Sequence, residues 1–122
     1  MSHDNNARRR EPPGRAFVTE NQVEEALNFL ALSAEEVGAA RGEMVRTEFM
    51  IGSIEALAAG MSEERSADAK KWEARASSQY QNAVKEHASA TARFETLRAR
   101  REASRMLCDA WQTMSANRRG GI

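Results

Sequence analysis

Proline is missing from the chain after Pro13, and no alternation of apolar and polar residues marks a strand. A helix interrupted by proline loses a hydrogen bond and meets a steric clash, so this absence leaves long uninterrupted helices open. Cys108 is the single cysteine, which excludes a disulfide within the chain and suits a reducing, cytoplasmic compartment. Aromatics make up only 6% of residues, too few for a deep globular core. No run of about 18 apolar residues exists, so no membrane span is expected. Eighteen Lys and Arg balance eighteen Asp and Glu, and a chain-wide basic signature for nucleic acid is therefore missing.

What remains is rich in Ala, Glu and Arg, a composition suited to extended helices joined along a thin seam. Residues 1–17 are polar, include Pro12, Pro13 and Gly14, and read as a disordered tail. Arg8 to Arg10 are not followed by an apolar stretch, so a secretory signal is not expected there. A helical hairpin domain is expected over 18–119. Its first helix is predicted over 20–59. Thr19 and Gln22 have the spacing of a capping box, and Val18 and Val23 that of a hydrophobic staple. The apolar stripe runs Val23, Leu27, Leu30, Ala34, Val37, Ala40, Met44, Thr47, Ile51, Ile54 and Ala58, in steps of three and four. Gly38, Gly42 and Gly52 each weaken this helix by roughly 1 kcal/mol relative to alanine. Close approach by a neighbouring helix is the expected reason for them.

A connector over 60–77 has room for a short helix, with Ser62 as a candidate cap and Trp72 as a candidate plug for the hairpin end or an exposed anchor. The second long helix is predicted over 78–116, starting at Ser77 or Ser78 with Gln81 completing a capping box from Ser78. Its stripe is Tyr80, Val84, His87, Ala90, Phe94, Leu97, Arg101, Ser104, Cys108, Trp111 and Met114. The fold class that follows is all-α: a long antiparallel helical hairpin, coiled-coil-like, with stripes close to a 3.5-residue repeat. Phe29, Leu32, Met50 and Leu57 lie off the main stripe. They are the candidate oligomer interface, through which self-association would complete a helical bundle.

Charge is divided unevenly. Residues 16–60 hold eight acids against Arg41 and Arg46, whereas 78–119 hold eight bases against Glu86, Glu95, Glu102 and Asp109. Attraction between the two helices is the first reading, with Arg101 within reach of Glu35 or Glu36. A phosphate-binding face is the second, built from Arg98, Arg101, Arg105, Arg118 and Arg119, the first three at helical spacing.

Signals for catalysis are missing. His3 and His87 are the only histidines, His87 and Cys108 lie about 30 Å apart along one helix, and His87 reads as a packed seam residue. No phosphate-cradling glycine loop is present, and consecutive pairs such as Glu35–Glu36 point to different helix sides. No enzyme activity, metal or cofactor is expected.

Several strings in the chain resemble short proteins encoded by tailed phages and prophages. They are S-x-E-R at Ser62 to Arg65, Tyr80, E-x-L-R-A-x-R at Glu95 to Arg101, W-x-x-x-x-A-N-R at Trp111 to Arg118, and the segment from Ala26 to Leu30. The chain departs from that group at Gln112 and Thr113, where a basic residue more often follows the tryptophan. The resemblance implies an early-gene setting of recombination or replication. It also implies a non-enzymatic accessory or adaptor role, with a phage or host recombination or replication protein, or DNA, as partner. It carries no catalytic residues. A structural virion component is the remaining alternative.

Overall fold

Heptad spacing organises what the helices bury. On the first long helix the buried positions are Ala26, Ser33, Ala40 and Thr47, and on the second Ala83, Ala90, Leu97 and Ser104, each seven residues from the next. A strict seven-residue repeat keeps one row facing a partner helix. Nearly all of these side chains are small, which lets two backbones come close.

The computed structural model describes residues 17–120. It holds α1 (Glu20–Gly60), α2 (Ala67–Ala76) and α3 (Ser78–Gly120), and no strand occurs among the described residues. The fold is all-α, as expected. The tail expected over 1–17 lies outside the described residues except for Phe17, which is exposed.

The described residues form two compact units, 17–30 with 103–120, and 31–102. In the first, the Thr19 N–H donates to Gln22 Oε1 at 2.9 Å while the Gln22 N–H donates to Thr19 Oγ1 at 3.2 Å. The expected capping box is therefore formed, and it satisfies two otherwise orphaned donors at the helix start. Ala26 and Ser104 are buried here, with Leu30, Cys108, Trp111 and Met114 half-buried. Leu27, expected in the seam, is 54% exposed, while neighbouring Ala26 is 4% exposed. α3 runs to Gly120, beyond the expected end near 116, with Arg118 and Arg119 in its last turn, where cations favour the negative helix end.

In the second unit α1 and α3 run antiparallel. Thr47 meets His87 at 3.0 Å, and Arg101 meets Ser33 at 2.6 Å. From Ser33 to Thr47 and from His87 to Arg101 is fourteen residues, two heptads, so both pairs obey one register. That register sets Ala40 opposite Phe94, Met44 opposite Ala90 and Ile51 opposite Ala83. Large faces small in these three layers, whereas Val37 faces Leu97 in another. The same correction recurs here: Ser33 and Ala83 are buried, whereas Ala34 and Val84, expected in the seam, are exposed.

The connector differs in its caps. Ser66, not Ser62, caps α2 by accepting from the Ala69 N–H, and Asp68 occupies the first turn. Ser62 instead accepts from the Glu64 N–H and donates to the Glu73 carboxylate. Ser77 caps α3 by accepting from the Tyr80 N–H, and Gln81 reaches back to the Arg75 carbonyl rather than forming a box with Ser78. Trp72 is 67% exposed and plugs nothing within this unit. A Cβ built at Gly38, Gly42 or Gly52 would meet no atom within 4 Å, and none of these glycines has positive φ. The close approach expected at them does not occur among the described residues.

Two substitutions separate seam from surface, with stability read by urea unfolding at fixed protein concentration. Ala40→Leu should overfill the layer opposite Phe94 and cost about 1–3 kcal/mol. Gly52→Ala should add about 0.5–1 kcal/mol by removing a helix-interior glycine.

Candidate functional site

The arginines expected to form one phosphate-binding face do not share one. Arg98 is exposed and pairs with Glu95 at 3.7 Å. Arg101 turns into the seam, where its guanidinium donates to Ser33 Oγ. One helical turn separates them in sequence, but the seven-residue repeat places Arg101 on the half-buried row of Tyr80, His87 and Phe94, beside the buried one, and Arg98 outside it. Ser33 is 2% exposed, so its hydroxyl depends on protein partners. The expected contact of Arg101 with Glu35 or Glu36 gives way to this one. Glu36 instead lies 3.9 Å from Arg93, an exposed pair. Arg98 and Arg101 belong to the unit of residues 31–102, while Arg105, Arg118 and Arg119 belong to the other and are exposed.

His87 is the second polar group of the seam. The Thr47 hydroxyl lies 2.9 Å from the Glu43 carbonyl and 3.0 Å from that of Met44, so it donates its one hydrogen there. It then accepts from His87, which assigns the proton to Nδ1. His87 Nε2 accepts from Thr91 Oγ1 at 3.5 Å. Both ring nitrogens are thereby used within the fold, and the ring sits in the seam as the sequence indicated. Among the described residues no buried side-chain nitrogen or oxygen lacks a partner.

The shortest exposed ion pair lies within α1. Arg46 donates twice to the Glu43 carboxylate, at 3.0 and 2.6 Å. That hydrogen bonding holds Glu43 below its ordinary carboxylate pKa and Arg46 above its own. For Glu43 the folded value lies below the unfolded one, so the pair supports the helix above the carboxylate range and the support disappears as pH falls through it. Between helices, Arg75 Nε donates to Glu55 at 3.1 Å and ties α2 to α1.

One apolar groove of about 430 Å³ opens where α1 ends. Ile54, Leu57, Ala58 and Met61 form its floor and one wall, and α2 supplies Ala74 and Glu73. Its only titratable lining group is Glu73, which already accepts from Ser62. Among the described residues no group of three or more His, Cys, Asp or Glu is placed to hold a metal ion, and no helix is long and apolar enough to cross a membrane. A search of protein-family models, of curated proteins and of solved structures finds no match to this chain.

The four candidate interface residues fall into two groups. Phe29 is half-buried, whereas Leu32, Met50 and Leu57 stand exposed. Four further apolar side chains outside the expected set, Val45, Phe49, Met61 and Met106, are exposed. For Phe49 the signal was available: it lies between Gly42 and Gly52, on the side of α1 away from its buried row.

The seam role of Arg101 is separable from surface charge. Arg101→Ala should lower unfolding free energy by about 1–3 kcal/mol by removing the charged hydrogen bond to buried Ser33. Arg98→Ala should stay within about 0.5 kcal/mol of the parent. Urea denaturation of both proteins, followed by circular dichroism at 222 nm, checks the contrast.

Proposed function

We propose that this protein is a non-enzymatic helical accessory or adaptor that works by self-association and protein–protein contact in the cytoplasm of a phage host. Exposed apolar surface carries the reading. In one unit, Leu32 is 82%, Phe49 76%, Leu57 69% and Met61 83% exposed. Leu57 and Met61, one turn apart beside the groove, form an apolar patch of the kind another protein covers. The seam supports the same view from the other direction, because its small and polar residues bury little apolar area and leave the hairpin thinly stabilised on its own. The phage setting, with a role beside DNA recombination or replication, rests on the motif resemblance.

Catalysis has little to work with in this reading. The polar groups of the seam are consumed by each other, and the apolar groove offers one carboxylate already held by a serine.

A second reading, nucleic-acid binding, is favoured by one observation: Arg105, Arg118 and Arg119 are all exposed in the same unit. It narrows the five expected arginines to three, since Arg101 donates to Ser33 and Arg98 pairs with Glu95 in the other unit.

Sedimentation velocity across about 5–300 µM protein, concentrations at which weak complexes of small interfaces form, should show a concentration-dependent oligomer. A monomer throughout would overturn the adaptor reading. For the second reading, three phosphate contacts would weaken duplex DNA binding about fortyfold between 50 and 200 mM salt. Binding without that salt dependence, or none at low salt, would remove it.

A further inference from the structure

The outer face of α1 within residues 31–102 is unlike a solvent face. Opposite the buried row lie Leu32, Glu35, Ala39, Gly42, Arg46 and Phe49, spaced three, four, three, four and three. All six are exposed. This is the spacing of a second heptad seam on the back of the same helix. Across the same register α3 presents Glu102, Ala99, Glu95, Ala92, Ala88 and Lys85, a row of the same spacing that ends in charges rather than in large apolar side chains. Gly42 adds a constraint. It weakens a helix interior, yet its φ is ordinary and a Cβ there would meet nothing within 4 Å, so packing within the described residues does not require it.

Read from either end, these six positions run apolar, charged, small, small, charged, apolar, with the two charges opposite. An antiparallel copy of the same helix is the partner that fits. We infer that two copies of this chain associate through the outer face of α1, about a two-fold axis passing between Ala39 and Gly42. The inference rests on the self-association reading above and specifies its surface. Leu32 of each copy meets Phe49 of the other, Glu35 meets Arg46, and Ala39 meets Gly42. The small central pair lets the axes approach to about 8 Å. Arg46 holds Glu43 through Nε and Nη2, and its guanidinium has further donors for Glu35 of the second copy.

The flanks follow from the same register. Val45 of one copy lies over Gly38 of the other, filling space beside the seam. On the other flank Glu43 approaches Glu36 of the second copy, and each is held by an arginine of its own chain, Arg46 and Arg93. A parallel, in-register pairing would set Glu35 against Glu35 and Arg46 against Arg46, and like charges disfavour it. Residues 32–49 span about 26 Å along the helix. A contact that short falls below the roughly 800 Å² per partner of a standard interface, which makes the dimer a reversible one.

Charge exchange tests the register. E35R and R46E each place like charges at both symmetric contacts, so each protein alone should dimerise about tenfold more weakly than the parent. Mixed in equal amounts, the two proteins should form a heterodimer of near-parent affinity, because both contacts then pair opposite charges. Gly42→Leu should abolish the dimer while helicity is retained, since the space around Gly42 within the chain is open. Sedimentation velocity reads association, and circular dichroism at 222 nm reads folding. Parent-like dimers from E35R, R46E and Gly42→Leu would overturn this face while leaving self-association standing. A mixture no tighter than its components would overturn the antiparallel register. A parent protein that stays monomeric would overturn both the face and the reading beneath it.

Discussion

Close approach of two helices through small side chains is the constraint on which the paired region of residues 31–102 depends. Ala40, Ala83 and Ala90 present almost no bulk, so each of these three layers has room for one large side chain from the opposite helix. That arrangement fills space well but buries little apolar area, and dispersion from tight packing carries more of the stability than a greasy core would. It also explains why polar residues are tolerated in the seam. Ser33 with Arg101, and Thr47 with His87, are satisfied pairs two heptads apart, and a slip of either helix would break both contacts. The apolar layers would accept several registers. These two polar layers accept one.

Fixing register inward has consequences outward. Once α1 commits its seven-residue row to α3, its remaining faces are set by rotation alone. The opposite side then carries Leu32, Phe49 and Gly42 into solvent, together with Glu35 and Arg46. Phe94 and Leu97 are taken into the seam beside alanine, serine and threonine, while Leu32 and Phe49 remain outside. The arginines illustrate the same logic: one of the five candidates was taken by the seam, and a second is shared with a neighbouring glutamate.

Much of the architecture was legible residue by residue. Thr19 with Gln22 marked the start of α1, and serines marked the start of α3, because capping chemistry is local and needs no partner helix. The lack of proline and of alternating patterns excluded strands. Less legible was the choice between adjacent candidates on one face. Leu27 was preferred over Ala26, Ala34 over Ser33 and Val84 over Ala83, each time by hydrophobicity, and each time the structure buries the other residue. Spacing alone could not discriminate, since steps of three and four fit either choice. Arg98, Arg101 and Arg105 posed the same difficulty: they share helical spacing, but only the repeat of the partner helix reveals that the middle one faces inward.

The sequence by itself therefore determined the class of structure and the starts of α1 and α3, because these follow from backbone chemistry and local capping. Tertiary structure alone decided which row of each helix is buried, which arginine leaves the surface and which apolar residues remain outside. Those outcomes depend on how near two backbones can come. That distance is set jointly by side chains far apart in the chain, and it places Ala26 rather than Leu27, and Ala83 rather than Val84, in the seam.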